Sequence, residues 1–201
     1  MANVARCFRT RALTAVALAV VLGGCGTDLT LPPASIPIAQ QQITLYALTG
    51  TPVGTPSAYD QISLTEVRTD VSSAFDFAFD LRFDSAYGLG HPGDTVAVLL
   101  PRGALGFSSD PGLQQIPTLP WDSVRIAPTD GYINNKAVRI RAGDILYSAS
   151  RIQTCNYGFD LPHYAKLLIQ QIDLANRVAT ILVIADPNCG YRELGSGIPN
   201  Q

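Results

Sequence analysis

The sequence predicts an all-β fold, a single β-sandwich or small barrel of about eight to ten strands. Three observations predict it. Side chains alternate over residues 75–83; the run VATILVIA over 178–185 is rich in β-branched residues; and turn signals recur between short apolar runs.

The alternation is plainest at 75–83. Phe75, Phe77, Phe79, Leu81 and Phe83 point one way, and Asp76, Ala78, Asp80, Arg82 and Asp84 the other. A helix would scatter those phenylalanines around its axis. The polar side reads as a solvated strand face whose charges discourage edge pairing. A cation site on the three aspartates is the competing reading. Further strands are expected at 43–49, 62–69, 95–100, 123–127, 137–141 and 145–150. They are separated by turn signals at 88–93, Asp130-Gly131, Asn134-Asn135 and Gly143-Asp144. Residues 160–185 admit two readings. One is a helix within 160–176, with Asp160 as N-cap and Pro162 in its first turn. The preferred one is a hairpin of 164–172 and 178–185, because β-branched residues dominate its second half.

Ahead of this domain stands a different kind of segment. Arg6, Arg9 and Arg11 precede ALTAVALAVVLGG, which is too short to span a hydrocarbon core of roughly 20 residues. A positive start, a short apolar middle and small residues at its end make a secretory signal peptide, 1–24. Leu22-Gly23-Gly24-Cys25 then resembles the lipobox of bacterial lipoproteins. The resemblance implies cleavage between Gly24 and Cys25, acyl chains on Cys25, and a lipid anchor in the cell envelope. Gly26 follows the cysteine where aspartate would favour inner-membrane retention, so the outer membrane is the expected location. Residues 25–42, with three prolines, read as lipidated cysteine and tether. The β domain is expected over 43–194, and 195–201 as a flexible tail.

Without 1–24 the chain keeps 11 of its 14 basic residues against 16 acidic ones, a formal charge of −5. That is the wrong sign for a nucleic-acid surface. Apolar residues at 47% and charged ones at 15% argue for a folded body. Cys7 lies within the signal peptide and Cys25 is the lipid acceptor. Cys155 and Cys189 remain, and an oxidising compartment makes a disulfide the expectation. Two alternatives are weaker. Zinc on Cys155, Cys189, His163 and His91 lacks the usual ligand spacing, and a nucleophilic Cys155 with His163 as base rests on one pair alone.

No catalytic motif stands. Gly88-Leu-Gly90-His91-Pro92-Gly93 matches a dinucleotide fingerprint by letter, but a strand follows it where a helix should open. No metal site or cofactor is expected. The most suggestive feature is the long connection 101–121, PRGALGFSSDPGLQQIPTLPW, which shows no strand or helix period. It is expected either to close the β core as a lid, with Trp121 packed beneath it, or to offer Phe107, Leu113 and Trp121 as a binding loop. Function is then read as a non-enzymatic binding or assembly module on the membrane, with an envelope protein or polysaccharide as partner. The alternative is an envelope hydrolase whose dispersed carboxylates, such as Asp70, Asp110, Asp122 and Asp130, meet only in the fold.

Overall fold

The structure is a computed structural model, described here for residues 31–83, 95–107, 111–117 and 119–200. The lipobox with Gly24 and Cys25, the loop with His91, and Asp84 and Asp110 lie outside the described residues. What is described is all-β. The strands are β1 (Ala39–Tyr46), β2 (Ala58–Asp60), β3 (Thr65–Val67), β4 (Phe77–Phe83), β5 (Thr95–Pro101) and β6 (Leu113–Gln115), then β7 (Val138–Ile140), β8 (Ile145–Ala149), β9 (Gln153–Thr154), β10 (Asp160–Leu161), β11 (Tyr164–Asp173) and β12 (Val178–Ala185). These exceed the expected eight to ten because six have only two or three residues, too short for a readable period. Among the described residues no helix is long and apolar enough to cross a membrane.

Two antiparallel five-stranded sheets form the body. The first has the order β1-β12-β11-β8-β6, the second β3-β2-β4-β5-β7, and β9 pairs with β10 apart from both. Ile43, Leu45, Leu167, Ile169, Ile181 and Val183 from the first sheet share one buried cluster with Tyr59, Phe77, Phe79, Leu81 and Leu99 from the second. Two sheets joined through a common apolar core make a sandwich. The segment with two readings is the hairpin: β11 and β12 pair along their length, with a bulge between Ile169 and Gln171. Asp173 stabilises its turn by accepting from the Asn176 backbone N–H at 2.9 Å and side-chain amide at 2.7 Å.

Several expectations need correction. The polar side of 75–83 is not solvated. Asp76 is buried against Gln61 and Arg151, and Asp80 is buried where that side of the second sheet carries its own apolar layer of Ala58, Phe75 and Ala78 beside Val96, Val98 and Leu100. Leu105 packs onto both groups from a 3-10 turn, Arg102–Leu105. Phe75 precedes β4 and joins this outer layer, apart from Phe77 and Phe79. Residues 123–127 do not form a strand; Trp121–Ser123 is a 3-10 turn, and only Ile126 makes a bridge, to Glu193. Residues 62–64 are a turn and not strand, and 101–121 contains β6.

The expected tether is also shorter than read. From Leu31 onward the chain lies on the domain: Ser35 and Ile36 N–H groups both donate to Asn188 Oδ1 at 3.1 Å, and β1 opens at Ala39. Nor is 195–200 detached, since Ile38 N–H donates to the Gly197 carbonyl and Asn200 N–H to Glu193 Oε2, both at 2.8 Å. Prolines stiffen a segment, and hydrogen bonds from its flanks decide whether it docks.

Candidate functional site

Polar chemistry gathers in two places. The first adjoins Cys155 and Cys189, which form the expected disulfide with Cα atoms 5.9 Å apart. Bonded sulfur is neither a thiolate nucleophile nor a zinc ligand, so the Cys155–His163 and zinc readings are overturned. Among the described residues no group of His, Cys, Asp or Glu is placed to hold a metal ion. Asp160, close in sequence, accepts from Thr154 Oγ1 at 2.7 Å across the β9–β10 pair.

His163 is buried at the start of β11. Its Nδ1 lies 3.3 Å from the Asp186 carbonyl and its Nε2 2.7 Å from the Gln153 amide nitrogen. These contacts fit a neutral ring that donates from Nδ1 and accepts at Nε2. Burial lowers its pKa, against the Asp186 carbonyl contact. A cavity of about 350 Å³ lies between this side chain, the disulfide and the docked segment 32–36.

Behind it the two sheets are tied by a buried ionic knot. Arg151 Nη1 donates to Asp60 Oδ1 at 2.9 Å and to both Asp76 oxygens at 3.2 Å, and Arg151 N–H donates to Asp76 Oδ1 at 2.7 Å. Burial pushes Asp60 up, but hydrogen bonds from Arg151 and Ser63 outweigh it and hold the carboxyl below its ordinary range. At Asp76 burial wins over the same guanidinium, and the pKa is raised. Gln61 extends the knot: its buried Oε1 accepts nothing among the described residues, and its Nε2 donates to the His163 carbonyl at 2.7 Å. Asp60 and Asp76 are the pair of carboxyl groups that the fold does bring together. Both are spent on Arg151, and neither lines the cavity.

The second place is the outer face of the first sheet. Register sets a row across it: Gln40 on β1 opposite Ile184 on β12, then Lys166 on β11, Tyr147 on β8 and Gln114 on β6. Inner-face neighbours alternate with them, so these five face outward. Lys166 is nevertheless only 4% exposed. Its ammonium donates to the carbonyls of Val124 at 2.8 Å and Trp121 at 3.2 Å, and lies 4.4 Å from the centre of the Trp121 ring. Burial lowers its pKa, Asp122 opposes this and Arg125 adds to it. A groove of about 400 Å³ runs over Gln40, Ile184 and Lys166, walled by Trp121, Asp122 and Arg125 on one side and by 193–196 on the other.

The suspected binding loop is thereby divided. Leu113 is fully buried in the common core, so its place in a binding surface is corrected. Phe107 is 41% exposed and stacks edge-on against Phe75, 5.3 Å between centroids, with Arg102 over both rings. It is part of the lid on the second sheet. Trp121 lines a cavity on the other sheet. The dispersed carboxylates do not converge: Asp70 pairs with Arg68, Asp122 borders the groove, Asp130 is exposed, and Asp110 is outside the described residues. Sequence reasoning missed Lys166, Gln40 and Arg125. The available signal was one lysine in the outward register of a strand otherwise rich in leucine and isoleucine. Comparison with family models, curated proteins and solved structures finds none that this chain matches.

Proposed function

We propose that this chain is a bacterial envelope lipoprotein, anchored by acyl chains on Cys25, more suited to the outer than the inner membrane. Its β-sandwich is a non-enzymatic binding module. The anchor rests on Leu22-Gly23-Gly24-Cys25 after an arginine-flanked apolar run. The observation that carries binding is the groove on the first sheet: Gln40 and Asp122 bring side-chain polar groups with no hydrogen-bond partner among the described residues to a cavity walled by the lone tryptophan. Partners are the membrane, through the lipid, and an envelope polysaccharide or protein, through that groove. A formal charge of −5 for 25–201 speaks against nucleic acid.

Fractionation tests the reading. The wild-type protein should sediment with outer membranes and enter detergent, whereas Cys25→Ser should appear in the soluble fraction or stall uncleaved. Equal membrane recovery of both forms would reject the lipid anchor.

A further inference from the structure

We propose that the groove over Gln40, Lys166 and Trp121 binds a short uncharged oligosaccharide, an inference that rests on the binding-module reading and names its ligand class. Charge balance comes first. Asp122 and Glu193 face Arg125 and Lys166 around one cavity, so an ion of either sign meets a like charge along with its opposite. A neutral ligand rich in hydroxyl groups meets no such conflict, because each hydroxyl both donates and accepts.

The polar groups are also mixed in the way hydroxyls need. The Gln40 amide offers a donor and an acceptor, and the Asp122 carboxylate accepts; neither side chain has a hydrogen-bond partner among the described residues. Among the described residues the Arg125 guanidinium makes one long bond, to the Asp122 carbonyl at 3.4 Å, which leaves most of its donor fork open there. Trp121 adds a flat apolar surface of the kind that covers the C–H side of a sugar ring. The site is held in shape before any ligand arrives. Lys166 is fixed by two carbonyls on the rigid β11 floor, and those same bonds position the Trp121–Ser123 turn. Preorganisation of this kind removes ordering entropy from binding. About 400 Å³ lies within the usual range for small-ligand sites.

Trp121 is the only tryptophan, so emission excited selectively from tryptophan reports on the groove. The full chain, purified in a detergent without a sugar headgroup, is titrated with cellotriose, maltotriose and chitotriose. Trigalacturonate and chitosan trimer serve as anionic and cationic counterparts. At least one neutral trisaccharide should shift the emission saturably with Kd below about 1 mM. Asp122→Ala and Gln40→Ala should each weaken it at least about tenfold with the melting temperature unchanged, since both side chains are exposed. No shift from any neutral probe up to about 10 mM overturns the proposal. So does tighter binding of a charged trimer, or binding indifferent to both substitutions. Cys25 plays no part in the titration, so the ligand class and the lipid anchor fail or stand separately.

Discussion

At the scale of single residues, the buried acids decide how the protein responds to pH. Asp186 is fully buried; its Oδ1 accepts from the Asn188 backbone and side-chain nitrogens at 2.8 and 2.7 Å, while Oδ2 has no partner among the described residues. Burial raises its pKa from 3.8 to about 6, with the Asn188 donors opposing. The folded state therefore prefers the protonated acid. Its contribution to stability is fully present below the unfolded value of 3.8 and is lost as pH rises through about 6. Asp186→Asn puts a neutral amide of similar shape in its place. The stability of wild type relative to this variant, from urea unfolding, should fall by about 3 kcal/mol between about pH 3.5 and pH 7. His163, whose lowered pKa gives the opposite dependence, titrates in both proteins and cancels from the difference. A difference that does not vary with pH would contradict the assignment. None of this was legible in the sequence, because the surroundings of Asp186 are set by tertiary contact: its partner Asn188 is itself held by the docked segment at Ile36.

At the scale of elements, the disulfide and the long connection carry separate predictions. Cys155 and Cys189 close a loop across 34 positions, which is worth about 4 kcal/mol in the chain-entropy model. Cys155→Ser, Cys189→Ser and the double variant should lose similar stability, and reductant should bring the wild-type melting point towards theirs. Two readily alkylated thiols in the unreduced protein would contradict the bridge. Within the connection, Leu113→Ser should cost about 2–5 kcal/mol, because it empties a buried site and leaves a hydroxyl there. Phe107→Ser, at a half-exposed ring, should cost much less, and equal losses in thermal denaturation would contradict that division. The sequence made the long elements readable: the 75–83 alternation, the β11–β12 hairpin and the cysteine pair all follow from local pattern. It could not show which strand faces are covered twice. Leu105 and Phe75 reach the aspartate side of β4 only through tertiary contact, and a three-residue strand such as β6 is fixed by its partner β8 and not by its own period.

At the scale of the whole molecule, chain path and anchor belong together. The described chain begins docked on the domain near Asn188 and Tyr191, so few residues separate that docking point from Cys25. The groove, in contrast, was only half legible. Trp121 stood out as the lone tryptophan of a long connection, but its partners Lys166 and Gln40 come from strands 45 and 81 positions away, joined by sheet register. The central claim is that Cys25 is the mature N-terminus and carries lipid. Mass spectrometry of the N-terminal peptide from membrane-extracted protein tests it most directly. The account predicts a peptide that begins at Cys25 and bears acyl chains; an unlipidated N-terminus, or one at any other residue, would contradict it.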